Sequence, residues 1–309
     1  MIIIYSDEFL QHKTGVRHPE RPMRLAAIVE GLKTAFSKDQ LDWQLPTPAK
    51  KRQPSALEWV QKIHSHDYIK RVEQLAYRGG GYLNEDTPVS PKSYDVALLA
   101  ASAWLDGIDR VLATIAPAFV LARPPGHHAQ SDRGMGFCVF CNAAIAATYA
   151  LEQPGVQKVA ILDWDVHHGN ATQAIVENNP NIAYCSLHQF PCYPGTGYPE
   201  ETGHYNNVLN LPVSAGSTVE AYKVIFENKI IPFLTNFQPD LLIVSAGYDA
   251  NEADPLAQVC LQPEDYGVFT DYCLLLSRKI LFGLEGGYNL SALSDSVVAT
   301  IERCLASVT

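Results

Sequence analysis

The sequence predicts an α/β protein: one domain built on a mostly parallel central sheet, flanked by helices on both faces. Three observations carry that expectation. Short apolar, β-branched runs alternate with stretches of helical periodicity, the pattern of repeated βαβ units. Hydrophobic residues make up 47% of the 309 and charged residues only 18%, enough for a large core and too few charges for extensive disorder. No low-complexity segment, internal repeat or flexible linker divides the chain, so residues 1–309 read as a single domain.

In chain order, residues 2–5 read as the first strand. Leu25, Ile28, Val29 and Leu32 follow at i, i+3, i+4 and i+7, one face of a helix. Residues 79–92, with three consecutive glycines and then Pro88 and Pro91, read as a loop. A helix over 93–115 precedes strands at 118–122, 158–163 and 182–187. Residues 190–207 form a second loop before a strand at 208–211. Tyr222, Ile225, Phe226 and Phe233 mark another helix, more loosely spaced. Strands at 241–245 and 280–284 and a helix over 291–306 complete the pattern.

Composition removes several classes of function. The net charge is −10, and the densest basic cluster is only Lys50-Lys51-Arg52, so a basic nucleic-acid-binding face is not expected. An acidic surface is compatible with a cationic substrate. Met1-Ile-Ile-Ile-Tyr5 is followed at once by Asp7 and Glu8, unlike a signal peptide, and no run approaches the about 18 apolar residues of a membrane span. Seven cysteines in a long chain fit reduced thiols and a cytoplasmic protein. Cys138 and Cys141 form a lone C-x-x-C with no second pair to complete a four-thiolate zinc site, so they read as buried and inert.

Four expected strands run directly into polar turns. Ala118–Leu121 leads to Arg123-Pro-Pro-Gly-His-His128. Val159–Leu162 leads to Asp163-Trp-Asp-Val-His-His-Gly-Asn170. Leu241–Val244 leads to Ser245-Ala-Gly-Tyr-Asp249, and Ile280–Leu284 to Glu285-Gly-Gly-Tyr288. Open parallel sheets bind ligands in the crevice beyond the carboxyl ends of their strands, so these turns are expected to meet.

Residues two apart in extended chain share a face, which groups Asp163, Asp165 and His167 and turns His168 away. Asp165 and His167 suit one cation, with Asp249 as the third ligand. Two carboxylates and one imidazole leave a position open for water, as catalytic zinc requires, and Mn²⁺ or Fe²⁺ tolerate the same set. His127 and His128 can move protons near neutrality if an orienting partner holds the second ring nitrogen, and Asp163 and Asn170 are available for that. Tyr288, after two glycines, is either a tyrosine packed on a turn or a donor to an oxyanion. Phe137 and Tyr193 are either core aromatics or walls of an apolar slot. The chain carries no Gly-x-Ser-x-Gly elbow, phosphate loop or dinucleotide fingerprint.

These segments, with Gly136-Phe-Cys138, Ser186-Leu-His188, Pro194-Gly-Thr-Gly197 and the opening His18-Pro-Glu-Arg-Pro22, resemble the histone deacetylase family in order and over nearly the whole chain. Asn170 and Leu284-Glu285 are closer to its class II branch and bacterial relatives. The resemblance implies the arginase/deacetylase fold and Zn²⁺ held by Asp165, His167 and Asp249. It implies that His127 and His128 are the catalytic pair and that Tyr288 polarises the carbonyl. Phe137 and Tyr193 would line an acyl-lysine tunnel, Gly136 would accept the substrate amide N–H, and Asp86 would hold a peptide backbone at the rim. A K⁺ site near Asp163, Asp165, His167, Ser186 and Leu187 is implied as well.

The expected substrate is an acetylated lysine side chain or an acetylated small amine, with no nucleic acid and no membrane as partner. Polyamine-type members carry an acidic gatekeeper shortly after the third metal ligand. Here Asp254-Pro-Leu256 puts leucine there, which argues mildly against a polyamine and leaves other small amides open. A non-catalytic metal-binding regulator would have lost a ligand or the tyrosine, and a two-metal arginase-like site would need more bridging carboxylates. The motifs run nearly end to end, so the chain reads as a catalytic domain by itself.

Overall fold

The computed structural model describes residues 1–306; the last three positions of the expected 1–309 domain lie outside them. The strands are β1 (Ile2–Ile4), β2 (Asp42–Gln44), β3 (Gly81–Asn84), β4 (Thr87–Val89), β5 (Ala118–Val120), β6 (Val159–Asp163), β7 (Ile182–Gln189), β8 (Val208–Val213), β9 (Leu241–Ala246) and β10 (Ile280–Leu284). The helices are α1 (Met23–Ala35), α2 (Ala56–Ile63), α3 (His66–Tyr77), α4 (Ser93–Thr114), α5 (Asn142–Leu151), α6 (Asn170–Val176), α7 (Val219–Ile225), α8 (Ile231–Phe237), α9 (Pro263–Leu276) and α10 (Leu290–Ala306). A wider helical turn at Phe226–Ile230 joins α7 to α8.

Eight strands form one sheet in the order β2-β1-β5-β10-β9-β6-β7-β8, and every neighbouring pair is parallel. Burial follows position. Every residue of β5, β10, β9, β6 and β7 is buried, and in the sixth interior strand, β1, all but Ile2, in keeping with their largely apolar runs. The edges differ: β2 exposes Asp42, and β8 tolerates Pro212 because its outer side needs no ladder donor. All seven expected strands are present. The eighth, β2, has three residues and no periodicity to read. The expected loop 79–92 contains the antiparallel β3–β4 hairpin.

Alternation along β10 shows how the layers assemble. Leu281 and Gly283 face α4, where a Cβ built on Gly283 would lie 2.0 Å from the Trp104 ring and one on Gly107 would lie 2.5 Å from Leu281. The two glycines let helix and sheet approach closely. Phe282, on the other face, packs against Trp164, which reaches Tyr266 and Phe269 of α9. Helices α1, α9 and α10 pack together, and α4 packs on α5.

A buried ion cluster ties the amino-terminal segment to the sheet. The Glu20 carboxylate accepts from Arg123 through both oxygens, with Nη2–Oε2 at 2.6 Å, and from Arg24 at 3.3 Å; all three side chains are fully buried. Burial by itself would raise the Glu20 carboxyl, but Arg123, His12 and Arg24 overcome it and hold the group at about 2 against an ordinary 4.5. A carboxyl held below its unfolded value contributes stability that is fully present above about pH 4.5 and is lost as the pH falls towards 2. Glu20→Ala leaves buried guanidinium charge uncompensated and is expected to cost on the order of 3–5 kcal/mol. Urea unfolding of the parent chain, Glu20→Ala and Glu20→Gln between pH 2 and 7 checks both statements: the Ala chain gives the cost near neutrality, and the Gln chain should lose the slope that Glu20 contributes below about pH 4.5.

Candidate active site

The four strands that end in polar turns, β5, β10, β9 and β6, are consecutive neighbours in the sheet. Val120, Gly283, Ser245 and Asp163 form one register row across them, so the residues that follow emerge side by side. Beyond that row, Asp165, His167 and Asp249 converge. Their ligand atoms lie within 4.8 Å of one another and all three residues are buried. His167 Nδ1 is 3.2 Å from Asp165 Oδ1 and 3.1 Å from Asp249 Oδ2. A tetrahedral centre with bonds near 2.0–2.1 Å has ligand–ligand edges of roughly 3.3 Å, so this donor set fits a zinc ion in both spacing and chemistry. The remaining carboxylate oxygens are held from behind. Asp165 Oδ2 accepts the Gly286 N–H at 2.8 Å, and Asp249 Oδ1 accepts the Val166 N–H at 2.9 Å.

The cluster draws in protons. Burial would lower His167, yet Asp165 and Asp249 raise it well above its ordinary value, and burial raises the Asp249 carboxyl. His168 turns away, with Nδ1 against Thr196 Oγ1 and Nε2 against Gln173 Oε1, both at 2.8 Å.

The sequence left open which partner holds which histidine of the pair. In the structure His127 Nδ1 faces Asp163 Oδ2 at 3.1 Å, and His128 Nδ1 faces Asn170 Oδ1 at 2.7 Å. The rings lie 3.9 Å apart but their environments separate them. Burial would lower His127, but Asp165 and Asp163 outweigh it and raise the group to about 10. His128 is held well below its ordinary value by burial and by the neighbouring His127 and His167. Without a metal, these surroundings pull the pair apart, His127 towards the cation and His128 towards the neutral imidazole. With Asn170 Oδ1 as acceptor, His128 Nδ1 carries the proton and Nε2 keeps its lone pair.

Above these groups opens a cavity of about 190 Å³ lined by Asp86, His128, Gly136, Phe137, His167, Tyr193, Leu256 and Tyr288. Phe137 and Tyr193 are thus walls of a slot, not core residues. Phe137 stands edge-on to Tyr288 at 5.7 Å, and Tyr193 edge-on to His128 at 5.1 Å. Burial raises the Tyr288 phenol well above 10, so it remains a donor. Gly136 and Phe137 both adopt left-handed backbone, φ 55° and 68°, which is strained for phenylalanine. The β3–β4 hairpin holds them there: Asp86 Oδ1 accepts the Gly136 N–H and Thr87 Oγ1 accepts the Phe137 N–H, each at 3.1 Å. Thr87 also donates to Asp86 Oδ1 at 2.6 Å. Asp86 therefore shapes the tunnel wall as well as standing at its rim.

Asp163 and Ser186 are register partners on β6 and β7, both fully buried, with Leu187 next in the strand. The Ser186 hydroxyl lies 3.0 Å from His188 Nδ1.

Several supporting residues escape sequence reasoning. Thr87 is one. Arg24 lies over the Tyr288 ring at 4.9 Å and donates to the Glu285 and Gly287 carbonyls, each at 2.6 Å. Glu285 accepts the Gly126 N–H at 2.7 Å, pinning the histidine turn to β10, and burial raises its carboxyl to about 7. The Tyr184 hydroxyl lies 3.1 Å from Asp163 Oδ2. Each link joins distant parts of the chain, and no local pattern marks it.

A parallel α/β sheet with a buried donor set beyond the carboxyl ends of its strands is the arrangement to compare with known proteins. The family model described as histone deacetylase domain matches residues 18–304. An uncharacterized protein of Synechocystis sp. is 54% identical, over 98% of this chain and 99% of its own. A histone deacetylase-like amidohydrolase of Pseudomonas aeruginosa is 38% identical, over 81% of this chain and 68% of its own. The crystal structure of the HDA15 HD domain superposes with a TM-score of 0.92 at 35% identity, covering 99% of this chain and 89% of that one. The chain belongs to the histone deacetylase family.

Proposed function

We propose that the chain is a zinc-dependent amidohydrolase that removes acetyl groups from acetyl-lysine-type substrates. The observation that carries this is the Asp165, His167 and Asp249 donor set at the foot of a narrow aromatic-walled cavity, beside a histidine pair oriented by Asp163 and Asn170. A zinc ion held by those three residues supplies Lewis acidity towards water and towards the amide carbonyl.

The chain's own groups do the rest. Phe137 and Tyr193 enclose the alkyl chain, and the Gly136 carbonyl accepts the substrate amide N–H. His128 Nε2 takes a proton from the attacking water, a role its neutral state allows. The Tyr288 hydroxyl donates to the carbonyl oxygen as charge builds on it. The histidine pair then returns a proton to the departing amine and acetate leaves. Asp163 and Asn170 keep the imidazoles oriented throughout.

Oxygens from Asp163 and Ser186, with backbone carbonyls including that of Leu187, suit a structural K⁺ below the site. Seven cysteines in a long chain fit reduced thiols, which supports a cytoplasmic setting, and no helix among the described residues is long and apolar enough to cross a membrane.

The test is acetate release from an acetyl-lysine peptide and from acetylspermidine, with zinc-loaded protein and a chelator control. Chelator-sensitive turnover of the peptide is the expected result. A strong preference for acetylspermidine would move the substrate to polyamines. Stoichiometric metal with no turnover of either would favour a metal-binding regulator.

A further inference from the structure

We propose that Asp254 is a positioning residue: its buried carboxylate fixes the backbones of Tyr288 and Leu256 and thereby aims the Tyr288 hydroxyl at the substrate carbonyl. The inference rests on the deacetylase reading and adds to it a residue outside the metal ligands and the histidine pair.

Asp254 is only 6% exposed. Its Oδ2 accepts the Tyr288 N–H at 2.6 Å and the Asn289 N–H at 3.4 Å; its Oδ1 accepts the Leu256 N–H at 3.0 Å. Two residues of the cavity wall therefore hang from one side chain. The loops are laced at a second point, where the Asn289 amide donates to the Ala253 carbonyl at 3.2 Å.

The peptide group joining Gly287 to Tyr288 is held from both edges. Its N–H meets the Asp254 carboxylate at 2.6 Å, and its carbonyl meets the Arg24 guanidinium, also at 2.6 Å. The bond from the guanidinium is charge-assisted, and each bond polarises the peptide in the sense that strengthens the other. The need for such a clamp lies in the sequence. Tyr288 follows two glycines, and Gly287 sits at φ 111°, so neither glycine has a side chain of its own to limit the dihedrals that lead into Tyr288. A phenol that must meet a developing oxyanion tolerates little displacement, since about 1 Å of misplacement costs on the order of 10²-fold in rate. A carboxylate that merely closed a turn would have no such bearing on the phenol, and the two roles separate in a double-mutant cycle.

The experiment compares the parent chain, Asp254→Asn, Tyr288→Phe and the double variant, all metal-loaded, on an acetyl-lysine peptide. Asp254→Asn is expected to lower kcat by about 10- to 100-fold, with KM within about threefold and metal content unchanged. In the Tyr288→Phe background the same substitution is expected to lower kcat by less than about threefold, because the hydroxyl it positions is gone. Equal fold losses in the two backgrounds, or kcat within about twofold of the parent, overturn the proposal. If Asp254→Asn does not fold, Asp254→Ser takes its place in the cycle. Hydrogen exchange over residues 285–290 is read alongside. If the parent chain hydrolyses no acetyl amide, the deacetylase reading falls, and exchange alone decides: faster exchange in Asp254→Asn upholds the anchoring of Tyr288, and unchanged exchange overturns it.

Discussion

Asp249→Asn is expected to hold zinc at least about 10²-fold more weakly than the parent chain and to retain only background hydrolysis of an acetyl-lysine peptide. Loss of a mere outer-shell partner of a metal site typically costs 10–100-fold, and Asp249 is proposed as a direct ligand. Its Oδ2 lies 3.1 Å from His167 Nδ1 while Oδ1 is tied to the Val166 N–H, so the side chain cannot swing to offer a different atom without breaking that tie. Asparagine can still accept from Val166 but brings no charge to the ion. Metal content after dialysis against graded chelator measures the effect. A full equivalent held at parental affinity would move the ligand set elsewhere. The same cluster gives a pH dependence. His167 is raised by the two carboxylates, and a ligand must shed its proton to bind, so zinc affinity should fall steadily as the pH is lowered.

Tyr288→Phe is the second large effect. Removing one donor to an oxyanion typically costs 10²–10³ in kcat, so a loss on the order of 10²-fold is expected, with KM and metal content nearly unchanged. The ring remains, and with it the edge contact to Phe137 and the guanidinium of Arg24 above its face, so the variant should stay folded. Burial keeps the phenol protonated far above neutrality, so the pH profile should keep its shape while its height drops. Steady-state kinetics on a substrate whose chemical step is slow decides this, and an unchanged kcat would remove the hydroxyl from the mechanism.

The interior of the sheet was legible because every central strand is a run of apolar residues ending in a polar turn. The Asp-x-His segment was legible because two proposed ligands lie two residues apart on extended chain. The edge was not: Asp42–Gln44 is too short to show a period, and the β3–β4 hairpin lies among glycines and prolines that read as a loop. Helices α3 and α5 were both missed in the sequence: α3 carries only a short stripe, Ile69, Val72 and Ala76, and α5 is Ala-rich and buried nearly all round, so no face stands out. The supporting residues of the site were hidden for another reason. Arg24 grips a carbonyl 263 residues away, and the Asp86–Thr87 pair fixes a backbone 50 residues on. Such partnerships exist only once the chain has folded.

The strand order also bears on how the molecule is made. The last strand in the sequence, β10, does not add to an edge; it enters the middle of the sheet, between β5 and β9. A ribosome-bound chain that has not yet released β10 has two half-sheets with facing open edges, each able to pair with another chain. The seam closes only after residues about 160 positions apart, Phe119 and Phe282, come into register, the kind of long-range closure that slows folding. Until β10 closes that seam, backbone donors and acceptors that the finished sheet pairs internally are open to other chains.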